Sequence, residues 1–391
     1  MQPQQQKMHF EFVTATRIIF GAGTLRELGA IAKVTGRRAL VVTGRNAQRA
    51  ERALAMLRAH GVDAVPFSVS GEPEIATARA GVAVAKRERC DHVISIGGGS
   101  ALDAGKAIAA MLTNEGDLLD YVEVVGRGKA LTRASAPFIA IPTTAGTGSE
   151  VTRNSVLASP EHRVKVSLRS PLMLAKVALV DSELTYDLPP KITASTGLDA
   201  LTQLIEPFVC LRANPMIDAL CVDGIRRAAR SLRVACASGH DAAAREDMAL
   251  ASLFGGMALT NAGLGAVHGL AGPLGGMFPA PHGALCAALL PHVMEINLQA
   301  LRRRQPSHEV LYRYDKVARL LIGEPNATAD DGVEWVRRLV ADLNIPRLSR
   351  YGVTREHAAE LIEKAANASS MKANPIALTP EDVAQVLEQA T

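Results

Sequence analysis

The sequence predicts an α/β N-terminal domain with a Rossmann-like parallel sheet, residues 1–186, followed by an all-helical C-terminal domain, residues 187–391. Two observations predict this fold class. Short apolar runs alternate with helical stretches up to about Val180, which is the pattern of parallel strands joined by crossover helices. Beyond Pro189 and Pro190 the strand pattern stops, and helix signals dominate the rest of the chain.

The predicted elements follow the chain in order. In the first domain, strands are predicted around Val41 and at residues 62–69, 93–96 and 138–141, with helices at 46–60, 74–89 and 100–112. In the second domain, helix starts are indicated at Asn214–Pro215, Thr354 and Thr379–Pro380, where polar caps or prolines favour initiation. No long linker separates the domains, so we expect them to pack tightly with a site in the cleft between them.

A triple-glycine turn follows the third predicted strand. Gly97, Gly98 and Gly99 separate the apolar run from a helical pattern that starts at Ser100 and contains Asp103. Glycine lets the backbone approach a pyrophosphate, and the unpaired N–H groups of a helix N-terminus attract the anion. The segment is therefore a candidate phosphate site, although such turns are often plain connectors. The glycine pair at 21 and 23 lacks the third glycine of a dinucleotide fingerprint.

A second segment, rich in hydroxyl groups, follows the fourth predicted strand. Its candidate binding residues are Thr143, Thr144, Thr147, Ser149 and Thr152. A loop of this composition is usually no more than a loop, so the residues alone leave its role open.

Four potential metal ligands form the most specific pattern in the chain. Asp199 and Gln203 are four residues apart, so on a helix they project from the same face. His268 and His282 flank a Gly/Pro-rich loop, residues 269–281, that is flexible enough to bring both imidazoles to one point. A carboxylate, an amide oxygen and two imidazoles suit iron(II), zinc or manganese better than calcium or copper(I).

Composition excludes several other classes of protein. The 391-residue chain has 48% hydrophobic residues and a net charge of only +4, and its 4% aromatic content does not suggest a nucleic-acid surface. The polar N-terminus lacks a signal peptide, and prolines and histidines interrupt the most apolar tract, so we expect no membrane association. Five cysteines without a Cys-x-x-Cys pair indicate a reducing, cytoplasmic location with structural thiols.

At these motifs the sequence resembles the iron-containing (group III) alcohol dehydrogenases, a family that also includes maleylacetate reductases. The resemblance covers nearly the whole chain and rests on the segments 197–203, 268–275 and 281–283, together with the glycine and hydroxyl segments. It implies that Asp199, His268 and His282 are catalytic metal ligands. Gln203 stands where the family has a histidine ligand, and Gly272 stands where a further active-site histidine is usual.

The same resemblance implies a nicotinamide cofactor. In the family, the triple-glycine segment binds the cofactor's pyrophosphate, and the hydroxyl segment runs beside its ribose and nicotinamide. Lys165 matches a family lysine near the cofactor.

Cofactor choice depends on the end of the second predicted strand. Members that prefer NAD carry an aspartate at the position of Gly44, where its carboxylate binds the ribose diol and repels a 2'-phosphate. Here Gly44 leaves room, and Arg45 and Asn46 can donate hydrogen bonds to a phosphate, so NADP is favoured over NAD.

The remaining expectations concern substrate and assembly. Candidate substrate-pocket residues are Asn154, Phe254, Ser370 and Met371, of which the last two lie in a C-terminal motif that resembles the family's pocket lining. Phe254 and Met371 are equally compatible with a role in the core. We expect a small alcohol or aldehyde substrate and a homodimer.

Three functions remain open on the sequence alone. The first is a metal-dependent alcohol dehydrogenase or aldehyde reductase that uses NADP or NAD, with iron(II) as the expected metal and zinc or manganese as alternatives. The second is a metal-independent reductase of the maleylacetate type, which the weakened ligand set favours and the retained Asp199, His268 and His282 oppose. The third is a non-catalytic dinucleotide-binding protein.

Overall fold

The computed structural model describes residues 9–44 and 48–391. Its first domain is built on a six-stranded parallel sheet with the order β1-β8-β5-β4-β2-β3. The strands of this sheet are β1 (Arg17–Phe20), β2 (Arg38–Thr43), β3 (Asp63–Ser68), β4 (His92–Gly97), β5 (Phe138–Pro142) and β8 (Val177–Val180). Because the strands are parallel, their carboxyl ends lie at one edge, which is where dinucleotides bind in such sheets.

Helices cover both faces of this sheet. They are α1 (Leu28–Thr35), α2 (Gln48–Ala59), α3 (Ile75–Arg87), α4 (Gly99–Thr113) and the short α5 (Leu118–Tyr121). Side chains alternate between the faces: Val41 packs with α1 and α2, whereas Leu40 and Val42 pack with α3 and α4. The central strands are buried on both sides, which explains why they appear in the sequence as continuous apolar runs.

A two-stranded antiparallel unit, β6 (Asn154–Ser159) and β7 (Val164–Arg169), extends from this domain and was not anticipated. Its residues alternate between buried and partly exposed positions, for example in β6. This alternation is a strand signal, but each run is only six residues long, and its serines resemble those of the preceding loop. The unit carries the candidate residues Asn154 and Lys165.

The second domain consists of helices, with no strand after Val180 in the part of the chain that the structure describes. Its helices are α6 (Pro190–Val209), α7 (Pro215–Ala237), α8 (Ala242–Ala262), α9 (Ala266–Met277), α10 (His282–Arg304), α11 (Val310–Ile322), α12 (Ala329–Asp342), α13 (Ala358–Asn367) and α14 (Pro380–Ala390). The predicted fold class is confirmed. The division at 186/187 falls between the end of β8 and the start of α6.

The prediction of a flexible loop between His268 and His282 is wrong. Residues 266–277 form helix α9, and only residues 278–281 connect it to α10. The glycines serve close packing rather than flexibility: a Cβ at Gly276 would lie 2.8 Å from the Val164 Cα, and one at Gly269 would lie 3.1 Å from the Met371 Cε. Pro273 is accommodated within the helix.

Helix α10 is long and apolar enough to span a membrane by length and composition, but 83% of its apolar window is buried inside the fold. Helices α8 and α9 meet the same criterion only as a pair bent by 98°. Burial of this kind is typical of a core helix.

Candidate active site

Three helices bring four potential metal ligands together. Asp199 lies on α6, His268 on α9, and His282 and Cys286 lie one turn apart on α10. One ligand atom from each of these residues lies within 4.8 Å of those of the other three. The structure therefore unites Asp199, His268 and His282, as the sequence predicted, and adds Cys286.

The carboxylate of Asp199 is at the centre of this group. Its Oδ1 lies 3.4 Å from His268 Nε2 and 3.8 Å from His282 Nε2, yet it is buried and has no hydrogen-bond partner in the described structure. A buried carboxylate oxygen without a partner is costly, and a bound cation would remove the cost. The donor set of one carboxylate, two imidazoles and a thiol therefore fits a divalent metal ion.

Gln203 lies one turn along α6 from Asp199, as predicted. Its Nε2 donates a hydrogen bond to the Gly146 carbonyl at 3.1 Å, which links the metal-site helix to the hydroxyl segment. Its Oε1 is buried and has no hydrogen-bond partner among the described residues. The amide oxygen therefore remains a candidate donor.

Glu206 was missed by the sequence analysis. Its Oε2 lies 2.6 Å from His268 Nδ1, and its Oε1 accepts a hydrogen bond from the Val267 N–H at 2.7 Å. A carboxylate on Nδ1 orients the ring so that its Nε2 points towards Asp199. The available signal was spacing, since Asp199, Gln203 and Glu206 occupy positions i, i+4 and i+7 on one face of α6.

Charges in the cluster shift the protonation of its members. Burial opposes ionisation of Asp199, but the two imidazoles outweigh it and lower its pKa. Burial likewise disfavours a charged His268, but the acidic groups around it, Cys286 and Glu206 first, raise its pKa well above the usual range. For His282 burial is the largest effect and lowers its pKa, although the nearby Asp199 carboxylate opposes the shift. Burial also raises the pKa of the Cys286 thiol to about 12.

Glycines allow these helices to approach one another. A Cβ at Gly283 would lie 2.5 Å from the Ser195 carbonyl oxygen on α6, and one at Gly265 would lie 2.9 Å from the Glu206 carboxylate. At Gly272, by contrast, a Cβ would meet nothing within 4 Å. The position at which the resembled family has a histidine is thus open space here.

The triple-glycine turn faces the hydroxyl segment across a narrow gap. A Cβ at Gly98 would lie 3.4 Å from Thr144 Oγ1, and one at Gly99 would lie 3.1 Å from Thr147 Oγ1. Gly97 ends β4 and Thr143 follows β5, so both segments lie at the carboxyl edge of neighbouring strands. A side chain at either glycine would fill this cradle, which therefore fits a ligand that must approach the backbone.

Gly44 lies beside this cradle. It follows β2, the neighbour of β4, and its backbone nitrogen would lie 3.4 Å from a Cβ at Gly97. A Cβ on Gly44 itself would meet nothing within 4 Å, so there is room at this position. Arg45 and Asn46 lie outside the described residues.

Several predicted cofactor residues form a buried network around Lys106. The Lys106 Nζ donates to the Ser149 carbonyl at 3.0 Å, to Thr152 Oγ1 at 2.8 Å and to the Asn154 carbonyl, and it lies 3.0 Å from Asp103 Oδ1. These contacts hold the hydroxyl segment against α4. Lys106 was not among the predicted site residues. It ends the sequence segment that begins with Gly97–Ser100, and this position could have identified it.

Asp103 and Glu150 complete this network. Asp103 accepts hydrogen bonds from Ser149 Oγ at 2.6 Å and from the Val156 N–H at 3.1 Å, so its carboxylate braces the loop. Glu150 is 3% exposed, and burial raises its pKa to about 7. The hydroxyl of Ser100 lies at the start of α4 beside the glycine turn.

Lys165 projects from β7 towards α9. Its Nζ forms an ion pair with Glu72 at 3.0 Å and would lie 2.9 Å from a Cβ at Gly275. Its charge also contributes to the lowered pKa of His282. Lys165 therefore lies near the histidine cluster, while its contact with a cofactor remains a prediction.

The four predicted pocket residues lie in different surroundings. Met371 packs against Gly269 on the helix that carries His268, and Ser370 precedes it in a short turn. Asn154 begins β6 at the Lys106 network. Phe254 on α8 is partly buried against the core of the helical domain. Only Met371 thus has a described contact with the metal-site helices.

Asn374 fixes the segment that carries Met371. Its Oδ1 accepts a hydrogen bond from the Ala266 N–H at 3.0 Å, and its Nδ2 donates to Asn297 Oδ1 and to the Ile376 carbonyl, both at 2.8 Å. The residue is buried. Met371 is therefore held beside α9 by a buried hydrogen-bond network.

Comparisons with known proteins agree with this geometry. The family described as "Iron-containing alcohol dehydrogenase" matches residues 15–182, and "Fe-containing alcohol dehydrogenase family, C-terminal" matches residues 193–391. The chain is 35% identical to 1,3-propanediol dehydrogenase of Citrobacter freundii over 97% of this chain and 98% of the relative.

Solved structures show the same likeness. A crystal structure of a 1,3-propanediol oxidoreductase matches with a TM-score of 0.91 at 35% identity, covering 98% of this chain and 100% of the other. A sulfoacetaldehyde reductase from Bifidobacterium kashiwanohense, solved in complex with NAD+, matches with a TM-score of 0.86 at 30% identity, covering 98% and 99%. The chain therefore belongs to the iron-containing alcohol dehydrogenase family and is an oxidoreductase that acts on alcohols.

Proposed function

We propose that this protein is an NAD(P)-dependent and metal-dependent alcohol dehydrogenase that also runs as an aldehyde or ketone reductase. The single observation that carries the proposal is the convergence of Asp199, His268, His282 and Cys286 around a carboxylate oxygen that has no hydrogen-bond partner in the described structure. This arrangement favours the metal-dependent function over the metal-independent reductase, which would not require the cluster.

The residues that would hold the ion are Asp199, His268 and His282, with Gln203 and Cys286 as further donors. When bound, a divalent ion supplies a Lewis acid that polarises the substrate oxygen, which favours alkoxide formation in one direction and carbonyl reduction in the other. Glu206 orients His268 so that its Nε2 faces the position an ion would occupy. The His282 side chain is 31% exposed, whereas those of Asp199 and His268 are 2% and 7% exposed, so access to the cluster is on the His282 side.

The cradle between Gly98 and Thr144 supports a role in holding the cofactor's pyrophosphate. The N-terminus of α4 begins there, and its backbone N–H groups favour an anion. A bound nicotinamide would exchange a hydride with the substrate carbon. The protein's contribution is to hold the two carbons within about 3 to 3.5 Å in a reactive orientation. Lys106 contributes to that positioning by fixing the Ser149–Asn154 segment.

We propose NADP as the preferred cofactor, with NAD also accepted. The support is Gly44, where open space replaces the acidic side chain that would repel a 2'-phosphate. A similar protein, the sulfoacetaldehyde reductase, was solved in complex with NAD+, which supports acceptance of NAD as well.

We propose a small alcohol and its aldehyde as the substrate pair. The similar proteins named for 1,3-propanediol and for sulfoacetaldehyde act on molecules of two or three carbons. Met371 packs against Gly269, the residue after His268, and is therefore a candidate apolar contact for a short carbon chain.

Removing an anchor of the cluster tests the proposal. Asp199→Ala and His268→Ala should each lower metal affinity by at least about 100-fold, or ~2.7 kcal/mol, because each deletes a buried ligand. Alcohol-dependent reduction of the cofactor should fall in parallel. Metal content by elemental analysis and initial rates are measured on the same preparations.

A matched control is His292→Ala on α10. The His292 ring forms a hydrogen bond with the Gln389 side chain, away from the metal cluster. This variant should keep its metal and its turnover. Native turnover in both anchor variants, together with native protein free of metal, would replace the proposal with the metal-independent reductase.

A further inference from the structure

We infer that Cys286 is a metal ligand in this protein and that its thiolate gives the site a preference for zinc over iron(II). The inference deepens the proposed function and rests on it. Cys286 occurs four residues after His282, so the two side chains project from the same face of α10, one turn apart.

The distances between ligand atoms support a tetrahedral site. Cys286 Sγ lies 3.7 Å from His268 Nε2 and 3.6 Å from His282 Nε2. Zinc bonds of about 2.3 Å to sulfur and about 2.0–2.1 Å to nitrogen, at an angle of roughly 109°, place these atoms ~3.6 Å apart. These atoms are therefore spaced as the direct ligands of one ion would be.

The oxygen of Asp199 fits the same tetrahedral arrangement. Zinc bonds of about 2.0–2.2 Å to oxygen and nitrogen place those two atoms ~3.4 Å apart in a tetrahedron. Asp199 Oδ1 lies 3.4 Å from His268 Nε2 and 3.8 Å from His282 Nε2. Cys286 thus completes a set of four donors, one carboxylate, two imidazoles and one sulfur, without requiring Gln203.

The surroundings distinguish Cys286 from the other cysteines. Cys210 lies against backbone atoms, the Ala262 carbonyl and the Arg212 N–H, and Cys221 is buried in the apolar core. In the described structure only Cys286 belongs to a group of three or more potential ligands. It stands beside a carboxylate oxygen without a hydrogen-bond partner, which independently indicates a cation.

Ligand chemistry then determines the choice of metal. When the ion binds, the S–H bond breaks, the sulfur electron pair forms the metal–sulfur bond, and the proton passes to water. A thiolate is a softer donor than an imidazole or an amide oxygen and favours zinc over iron(II) in a tetrahedral site. In this chain, sulfur compensates for the weak amide donor at position 203.

Cobalt(II) substitution tests the inference with a readout other than activity. Cobalt(II) bound to a thiolate has a sulfur-to-metal charge-transfer absorption in the near ultraviolet, and a site of oxygen and nitrogen ligands lacks it. The native protein, Cys286→Ser, Cys286→Ala and the control Cys221→Ala are stripped of metal, loaded with cobalt(II) and compared by absorption and by elemental analysis.

We expect the charge-transfer band in the native protein and in Cys221→Ala, and its loss in both Cys286 variants. Those variants should bind zinc at least about 10-fold more weakly, with a correspondingly lower preference for zinc over iron(II) in competition. Stoichiometric cobalt in the native protein without the band overturns the inference and leaves the metal-dependent function standing. Failure of the native protein to bind cobalt or zinc overturns both. The native spectrum alone can thus refute the inference, whatever the folding of the variants.

Discussion

At the residue scale, we predict that Gly44 controls cofactor choice. Its missing side chain leaves open space after β2, next to the turn that ends β4. Gly44→Asp would place a carboxylate there, which repels a 2'-phosphate and can bind a ribose diol. We expect the dissociation constant for NADP to rise by at least about tenfold, or ~1.4 kcal/mol, while that for NAD stays the same or falls.

Fluorescence titration with both reduced cofactors measures this change. Gly44→Asn is the matched control, because asparagine has nearly the same shape as aspartate but carries no charge. Native protein that already binds NAD at least about tenfold more tightly than NADP would show that Gly44 does not set the preference.

At the residue scale, the sequence could identify ligands by type but not all of their partners. Asp199, His268 and His282 have chemistry that suggests metal binding, and the structure brings them together. Glu206 and Cys286 have the same helical spacing as many ordinary residues, and only the packing of α6 against α9 and α10 shows where they point. Their roles therefore depended on tertiary contacts.

At the scale of elements, the glycine turn and the hydroxyl segment form one cradle. Gly98 has an extended backbone, with φ −74° and ψ −175°, which a β-branched residue can adopt. Gly98→Val should therefore leave the fold intact while its methyl groups fill the space towards Thr144. We expect cofactor affinity to fall by at least about 100-fold, or ~2.7 kcal/mol, with little change in the free energy of unfolding.

Calorimetric titration and denaturant unfolding separate the two effects. Gly98→Ala is the graded control, since its Cβ would make only an ordinary contact at 3.4 Å. A loss of unfolding free energy that matches the loss of binding would mean that the turn is a structural connector.

Elements that are long and strongly periodic were predictable, and those with mixed signals were not. Helix α4 was predicted at 100–112 and spans Gly99–Thr113. Helix α9 was expected as a loop because glycine is typical both of turns and of helices that pack closely, and the sequence does not distinguish the two. Strands β6 and β7 were missed for a different reason, because each is only six residues long and contains serine, which is also common in loops.

At the scale of the whole molecule, the buried Glu150 couples stability to pH. Its pKa rises from 4.5 to about 7 on folding, so the folded state binds more protons than the unfolded state in that interval. The free energy of unfolding should therefore decrease as pH rises from about 4.5 to about 7 and level off above it. The full shift corresponds to about 3 kcal/mol.

Glu150→Gln isolates this contribution, because glutamine has nearly the same shape and does not titrate. Denaturant unfolding of both proteins at several pH values gives the difference in unfolding free energy, native minus variant. This difference should fall with rising pH across the interval and then stay constant. A difference independent of pH would mean that the burial of Glu150 does not shift its ionisation.

The two domains meet where the cofactor cradle contacts the metal-site helices. A Cβ at Gly256 on α8 would lie 2.3 Å from the Gly148 carbonyl oxygen, and the Gly146 carbonyl accepts the hydrogen bond from Gln203. These contacts fix the distance between the two halves of the site. Under the proposed function, we therefore expect the two domains to hold the cofactor and the substrate at a fixed separation.

Metal removal and reconstitution test the central claim most directly. The protein is stripped with a chelator, and cofactor-dependent oxidation of a short alcohol is measured as zinc, iron(II) or cobalt(II) is added back. We expect stripped protein to lose turnover and to recover it in proportion to bound metal, up to one ion per chain. Native turnover in protein shown by elemental analysis to contain no metal would contradict the claim.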